Sequence, residues 1–138
     1  METKPSDCPK VSETILLVDD EKSVLDLTND ILDRHGYKAI TAESGESAIE
    51  IYTRERDQID LVFLDIGMPG MSGHKCFKEL FRINPEIKVV ITTGYSATEK
   101  VKETLDAGAA GYIGKPYRSA DMLKKVRDIL DTKDRLFN

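Results

Sequence analysis

Short apolar runs alternate with amphipathic stretches along most of this 138-residue chain, and that alternation limits the folds open to it. The first run, Thr14 to Val18, is almost wholly apolar, which is typical of a strand buried on both faces of a sheet. The stretch after it is helical in period, with Val24, Leu27 and Ile31 on one expected inward stripe and Leu25 and Leu32 beside it. Four further run-and-helix pairs follow, with runs at residues 37–42, 59–64, 88–92 and 111–114.

Five strand–helix pairs predict an α/β fold, a (βα)5 doubly wound open parallel sheet, since a barrel needs about eight strands. The expected strand order is the flavodoxin-like 2-1-3-4-5, which places the first and third strands side by side. The domain is predicted to span residues 14–131. Residues 1–13 are expected to form a flexible leader and residues 132–138 a short tail.

Charged and hydroxyl side chains stand where the apolar runs end. Asp19 and Asp20 follow the first run, Asp65 the third, Thr93 the fourth and Lys115 the fifth. The carboxyl ends of parallel strands meet at one edge of a sheet, where open sheets bind their ligands. We therefore expect these five side chains to lie close together.

Three neighbouring carboxylates repel one another, and a hard cation removes that cost. Mg²⁺ favours oxygen ligands, so Asp20 and Asp65 are candidate direct ligands, with Asp19 binding directly or through water. Lys115 and Thr93 can then face a bound phosphoryl group. A carboxylate can also accept that group covalently, and Asp65, at the centre of the cluster, is the best candidate.

Composition excludes several other classes of protein. A net charge of -5 argues against a nucleic-acid surface. No apolar run approaches the roughly 20 residues that span a membrane. The start of the chain lacks the apolar segment of a secretory signal, so a cytoplasmic location is expected. Two cysteines, Cys8 and Cys76, are too few for a disulfide framework or a zinc site and are expected to be unpaired thiols.

Four motifs occur in order along the chain: Leu16–Glu21 (LLVDDE), Leu64–Gly73 (LDIGMPGMSG), Ile91–Tyr95 (ITTGY) and Gly111–Pro116 (GYIGKP). Together they resemble the receiver domain of two-component response regulators. The resemblance covers about Thr14 to Asp131. It implies that Asp65 accepts a phosphoryl group from a histidine of a sensor kinase.

The resemblance also implies roles for the neighbouring residues. Asp19 and Asp20 would form the acidic Mg²⁺ pocket together with Asp65 and the backbone carbonyl of Gly67. Lys115 would pair with the phosphoryl group, and a cis peptide bond is implied between Lys115 and the following proline.

Thr93 and Tyr112 resemble the switch pair of the family, in which the hydroxyl turns toward the phosphoryl group and the ring turns inward. The implied output surface is the fourth helix, fifth strand and fifth helix. Gly67 and Tyr95 occupy positions that vary in the family. Gly67 has no side chain to shield or polarise water, whereas Tyr95 can cover the site, so their opposed effects leave the dephosphorylation rate open.

The favoured function is a phosphoacceptor switch with self-catalysed phosphorylation and dephosphorylation rather than a turnover enzyme. Its expected partners are a sensor histidine kinase or phosphotransfer protein and a downstream protein. The chain can be a stand-alone regulator or the receiver of a hybrid sensor histidine kinase, in which case the parent chain is a kinase. A Mg²⁺-dependent phosphohydrolase is a further alternative, but that class places its Asp nucleophile after the first strand and a second Asp two residues later, where this chain has Glu21.

Overall fold

A parallel sheet of five strands forms the centre of the described part of the molecule and confirms the predicted (βα)5 architecture. The structure is a computed structural model that describes residues 13–68, 71–94 and 98–136. Its strands are β1 (Thr14–Val18), β2 (Lys38–Ala42), β3 (Leu61–Asp65), β4 (Val89–Thr93) and β5 (Gly111–Gly114). Its helices are α1 (Lys22–Arg34), α2 (Gly45–Glu55), α3 (Gly73–Ile83), α4 (Thr98–Asp106) and α5 (Ser119–Leu136), and a 3-10 turn at Arg56–Gln58 precedes β3.

The strand order is β2-β1-β3-β4-β5, as predicted. Val18 pairs with Leu64 across β1 and β3, and Asp65 pairs with Thr92 across β3 and β4. Thr93 then pairs with Gly114 across β4 and β5. This register sets the ends of four strands side by side along one edge of the sheet.

Alternate residues of the central strands pack on opposite faces of the sheet. Leu16 and Val18 of β1 belong to the core beneath α2 and α3, where Phe77 is fully buried. Ile15 and Leu17 belong to the core beneath α1 and α5. Both faces are covered, which is why these strands are apolar without interruption.

The inward face of α1 differs from the prediction at Leu27. The side chain of Leu27 is 62% exposed, whereas Leu25, Thr28 and Leu32 are buried. The stripe that meets the sheet is therefore rotated by one residue, and it contains a polar residue. Thr28 can occupy this core position because its hydroxyl forms a hydrogen bond with Tyr117.

Helix α5 continues to Leu136, past residue 131, where the sequence predicted that the domain ends. The ammonium of Lys88 donates to the backbone carbonyls of Ile129 and Leu130, at 3.0 and 3.2 Å. At the other end of the chain, the carbonyl of Glu13 accepts from the backbone of Lys38. The rest of the predicted leader and residues 137–138 lie outside the described residues, and the domain boundaries stay predictions.

Gly73, the first residue of α3, lies against the end of β3. A Cβ atom at this position would lie 2.3 Å from the Cα atom of Ile66 and 2.5 Å from the carbonyl oxygen of Asp65. The side chain of Ser72 caps the helix by accepting from the backbone of Lys75. The absence of a side chain at Gly73 thus allows α3 to begin directly beside Asp65.

Gly73→Ala is expected to lower the free energy of unfolding by about 1–3 kcal/mol, because the added methyl group overlaps backbone atoms that cannot move independently. Gly114→Ala is the matched control, since a Cβ atom added at Gly114 would have nothing within 4 Å of it. Urea unfolding measures the free energy of unfolding of both variants. Equal stabilities of the two variants would show that the close approach at Gly73 has no energetic weight.

Candidate functional site

Three carboxylates converge at the carboxyl edge of the sheet. Oxygens of Asp19, Asp20 and Asp65 all lie within 4.8 Å of one another. Asp19 and Asp65 are 4% and 5% exposed, whereas Asp20 is open to solvent. The expected proximity follows from the β1–β3 pairing, and two of the three charges are buried.

The ammonium of Lys115 lies between the two buried carboxylates. It is 2.7 Å from Oδ2 of Asp19 and 3.3 Å from Oδ2 of Asp65, with the carboxylate of Glu21 at 3.7 Å. The backbone of Lys115 donates to the carbonyl of Thr93 at 2.7 Å, which fixes the start of the lysine loop to the end of β4. The peptide bond between Lys115 and Pro116 is cis, as the resemblance implied.

Each buried carboxylate also accepts a backbone hydrogen bond. Oδ1 of Asp19 accepts from the N–H of Glu21, and Oδ1 of Asp65 accepts from the N–H of Gly67, both at 2.9 Å. One oxygen of each group is therefore held by its own loop and the other by Lys115. The two carboxylates are fixed in orientation before any ligand arrives.

Burial raises the pKa of Asp65 above its ordinary value, and the charge of Asp19 adds to the effect. The N–H of Gly67 and the ammonium of Lys115 oppose this rise without cancelling it. For Lys115, burial acts to lower the pKa, but the carboxylates of Asp19 and Asp65 outweigh it and raise the pKa. Lys115 is therefore charged at neutral pH and partly offsets an excess of negative charge.

The donor set fits a hard divalent cation. Asp19, Asp20 and Asp65 supply carboxylate oxygens, and within the described ranges the ammonium of Lys115 offsets only part of their negative charge. Mg²⁺ is commonly held by one or two carboxylates together with water and phosphate. These residues therefore suit Mg²⁺, and the part of the Gly67 carbonyl stays a prediction.

A cavity of about 560 Å³ separates α4 from β5. Thr93 and Lys115 line it on the side of the acidic cluster, and Val101 and Leu105 of α4 supply apolar wall. Tyr112 lines the same cavity and is 49% exposed, so about half of this residue is open to solvent. Tyr95, which was expected to cover the site, lies outside the described residues.

Sequence reasoning missed Tyr117, which follows Lys115 by two residues. Its hydroxyl lies 3.2 Å from Oγ1 of Thr28, and its ring meets Phe63 edge-on with centroids 6.5 Å apart. Burial raises the pKa of the Tyr117 phenol. An aromatic residue next to a site loop is a weak signal in a sequence, because its partner on α1 lies 89 residues away.

Of the two cysteines singled out in the sequence, the structure describes Cys76. Cys76 is a buried free thiol, and burial raises its pKa to about 12, which makes it unreactive. Cys8 lies outside the described residues. Among the described helices, none combines the length and apolar character needed to cross a membrane. The location of the protein in the cell stays a prediction.

The chain is similar to proteins from several microorganisms. It is 33% identical over 123 residues to sporulation initiation phosphotransferase F of Bacillus subtilis, a match covering 89% of this chain and 98% of that protein. It is also 33% identical to chemotaxis protein CheY of Halobacterium salinarum, over 87% of this chain and 98% of that one. The response regulator protein FleR of Pseudomonas aeruginosa is longer, and the 31% identical match covers 23% of it.

Solved structures are also similar to this chain. A response regulator receiver domain protein from Clostridium thermocellum superposes with a TM-score of 0.85 at 29% identity, over 89% of this chain and 98% of that one. CheY in the CheX–CheY–BeF3–Mg complex from Borrelia burgdorferi gives 0.80 at 31% identity, over 84% and 87% of the two chains. The family model of the response regulator receiver domain matches residues 15–127. The chain belongs to the response regulator receiver domain family.

Proposed function

We propose that Asp65 is the phosphoacceptor of this receiver domain and that Lys115 is the residue that senses the phosphoryl group. Receiver domains accept a phosphoryl group in two-component signalling. The observation that supports the assignment to these residues is the Lys115 ammonium, in contact with the buried carboxylates of Asp19 and Asp65. An ammonium held at the Asp65 carboxylate is close enough to pair with a phosphoryl group added to that carboxylate.

In the proposed reaction, a carboxylate oxygen of Asp65 attacks the phosphorus atom of a phosphohistidine. The new O–P bond forms as the P–N bond breaks, and the histidine leaves as an imidazole that takes up a proton from water. Transfer of this kind depends on positioning and on stabilisation of charge at the phosphoryl oxygens. Lys115 supplies such charge by moving from Asp19 toward one of those oxygens, and the hydroxyl of Thr93 binds another.

Asp19, Asp20 and Asp65 would hold Mg²⁺, with the carbonyl of Gly67 as a backbone ligand. When bound, the ion supplies positive charge that offsets the carboxylates and the incoming phosphoryl group. Within the protein, the backbone N–H groups of Glu21 and Gly67 keep Asp19 and Asp65 oriented. The chain thus preorganises its anionic ligands instead of ordering them during the reaction.

Thr93 and Tyr112 form the proposed switch. The hydroxyl of Thr93 turns toward the phosphoryl group, and the ring of Tyr112 turns into the cavity between α4 and β5. Two observations support this: both residues line that cavity, and Val101 and Leu105 give it an apolar wall against which an aromatic ring can pack. The surface formed by α4, β5 and α5 would then change its shape and bind a downstream protein.

The phosphoryl source is a sensor histidine kinase or a phosphotransfer protein, which are the partners of receiver domains. The protein is therefore a switch whose own residues promote gain and loss of the phosphoryl group. The phosphohydrolase alternative is not favoured, because the family match places the chain among phosphoacceptors. Nor do the relatives named above support the hybrid-kinase setting, since they are regulators and a phosphotransferase.

Magnesium and phosphoramidate are expected to add one phosphoryl group to the parent chain, and Asp65→Asn is expected to abolish the addition. The substitution replaces the nucleophilic carboxylate by a neutral amide of nearly the same size. Intact-mass measurement detects the added group. Asp33→Asn, at an exposed carboxylate of α1, is the control and should be labelled like the parent. Undiminished labelling of Asp65→Asn, or repeated turnover of an aryl phosphate, would contradict the assignment.

In a metal chelator, Asp65→Asn is expected to stabilise the folded protein at neutral pH. Because the folded pKa of Asp65 is raised above 3.8, its stabilising contribution is present below that value and is lost as pH rises through the folded pKa. The stability gained by the Asn variant should therefore grow with pH across this window. Urea unfolding at a series of pH values measures it, and a gain independent of pH would argue against the raised pKa.

Added Mg²⁺ is expected to make the parent more stable than Asp65→Asn. An ion that binds only the folded parent stabilises it by about 2.7 kcal/mol at a hundredfold excess over the dissociation constant. Asp20→Asn should lose much of that stabilisation while leaving the stability in chelator nearly unchanged, because Asp20 is exposed. Equal stabilisation of the parent and Asp20→Asn by Mg²⁺ would remove Asp20 from the proposed ligand set.

Beryllofluoride with Mg²⁺ is expected to bury the ring of Tyr112, and Thr93→Ala is expected to prevent that burial without blocking phosphorylation of Asp65. The reason is that the variant lacks the hydroxyl proposed to turn toward the phosphoryl group. Fluorine NMR of fluorotyrosine-labelled protein measures the ring environment, with the buried Tyr52 as an internal reference. Thr93→Ser should retain the response. An unchanged response in Thr93→Ala would exclude this coupling.

A further inference from the structure

We propose that Tyr117 and Thr28 form a positioning pair that fixes Lys115 for phosphoryl transfer; the inference rests on the proposed roles of Asp65 and Lys115. The hydroxyl of Tyr117 lies 3.2 Å from Oγ1 of Thr28. Tyr117 belongs to the loop between β5 and α5, two residues after Lys115, and Thr28 lies in the middle of α1. Thr28 is only 3% exposed, so its hydroxyl forms this hydrogen bond in the interior of the protein.

The lysine loop is anchored on both sides of Lys115. Before the side chain, the backbone N–H of Lys115 donates to the carbonyl of Thr93 at 2.7 Å. After it, Tyr117 binds Thr28 through its hydroxyl and packs the edge of its ring against Phe63. The backbone position of Lys115 is therefore fixed by the hydrogen bond to the end of β4 and by the contacts of Tyr117.

Tyr117 also borders the carboxylate that Lys115 must release. Asp19, Thr28, Phe63 and Tyr117 line one small space of about 10 Å³, about the room that a single water molecule needs. Tyr117 and Asp19 therefore border the same narrow space. If Lys115 exchanges Asp19 for a phosphoryl oxygen, the fixed loop determines where its ammonium arrives.

The hydroxyl of Tyr117 makes a contact that its aromatic ring alone cannot make. A phenylalanine would keep the edge-on contact with Phe63, which belongs to β3, but it would lose the hydrogen bond to Thr28 of α1. Helix α1 begins immediately after the segment that carries Asp19 and Glu21. The hydrogen bond thus ties the loop of the cationic residue to the helix that follows the anionic residues.

The test compares Tyr117→Phe, Thr28→Val and the double variant in the full chain. With Mg²⁺ and phosphoramidate, each single variant is expected to be phosphorylated about two- to tenfold more slowly, which corresponds to the loss of one hydrogen bond. The double variant should be no slower than the slower single variant, because both changes remove the same interaction. Thr28→Ser keeps the hydroxyl and should restore most of the parent rate.

Two further measurements separate positioning from simple loss of stability. Mg²⁺ affinity should change less than the rate, because the metal ligands keep their own backbone hydrogen bonds. Tyr52→Phe is the matched control: Tyr52 is 1% exposed, and its hydroxyl accepts from Asn84 at 2.9 Å, away from the site. That variant should lose stability without becoming slower to label.

A parental rate in Tyr117→Phe would overturn the inference while leaving the proposed function intact. Additive losses in the double variant would overturn it as well, as would an equal slowing in Tyr52→Phe. A parent chain that takes up no phosphoryl group at Asp65 would overturn the proposed function and this inference together.

Discussion

The contact between the Lys115 ammonium and two buried carboxylates is the interaction on which the site depends. Asp19 and Asp65 lie at the ends of adjacent strands and are removed from water, so their mutual repulsion is only weakly screened. Lys115 offsets part of that repulsion, and backbone N–H groups offset more. The excess of negative charge that is left is what suits this edge of the sheet to a cation.

The parallel sheet creates this arrangement through its connections. Each strand returns to the same edge after a helix crosses one face, so residues far apart in sequence end side by side. The crossover between β1 and β3 makes Asp19 and Asp65 neighbours, although β2 lies between them in sequence. The close approach of Gly73 to Asp65 then brings the start of α3 against the same edge.

The strands, the strand order and the clustering of the acidic residues could be predicted from the sequence, because periodicity and the ends of apolar runs carry that information. The face of α1 could not be predicted fully. Leu27 is apolar and periodic yet exposed, and Thr28 is polar yet buried, since a partner hydroxyl from another element satisfies it. Tyr117 was missed for the same reason: its significance lies in a contact that no local pattern records.

The ammonium of Lys88 donates to two backbone carbonyls of α5 that lie before the end of the helix. In a continuous helix, the carbonyls of Ile129 and Leu130 accept from residues one turn further on, so unwinding that turn would leave them without donors. The Lys88 ammonium already donates to both. If the turn after residue 130 unwound, these two carbonyls would therefore keep a donor, and that donor would come from the residue that leads into β4.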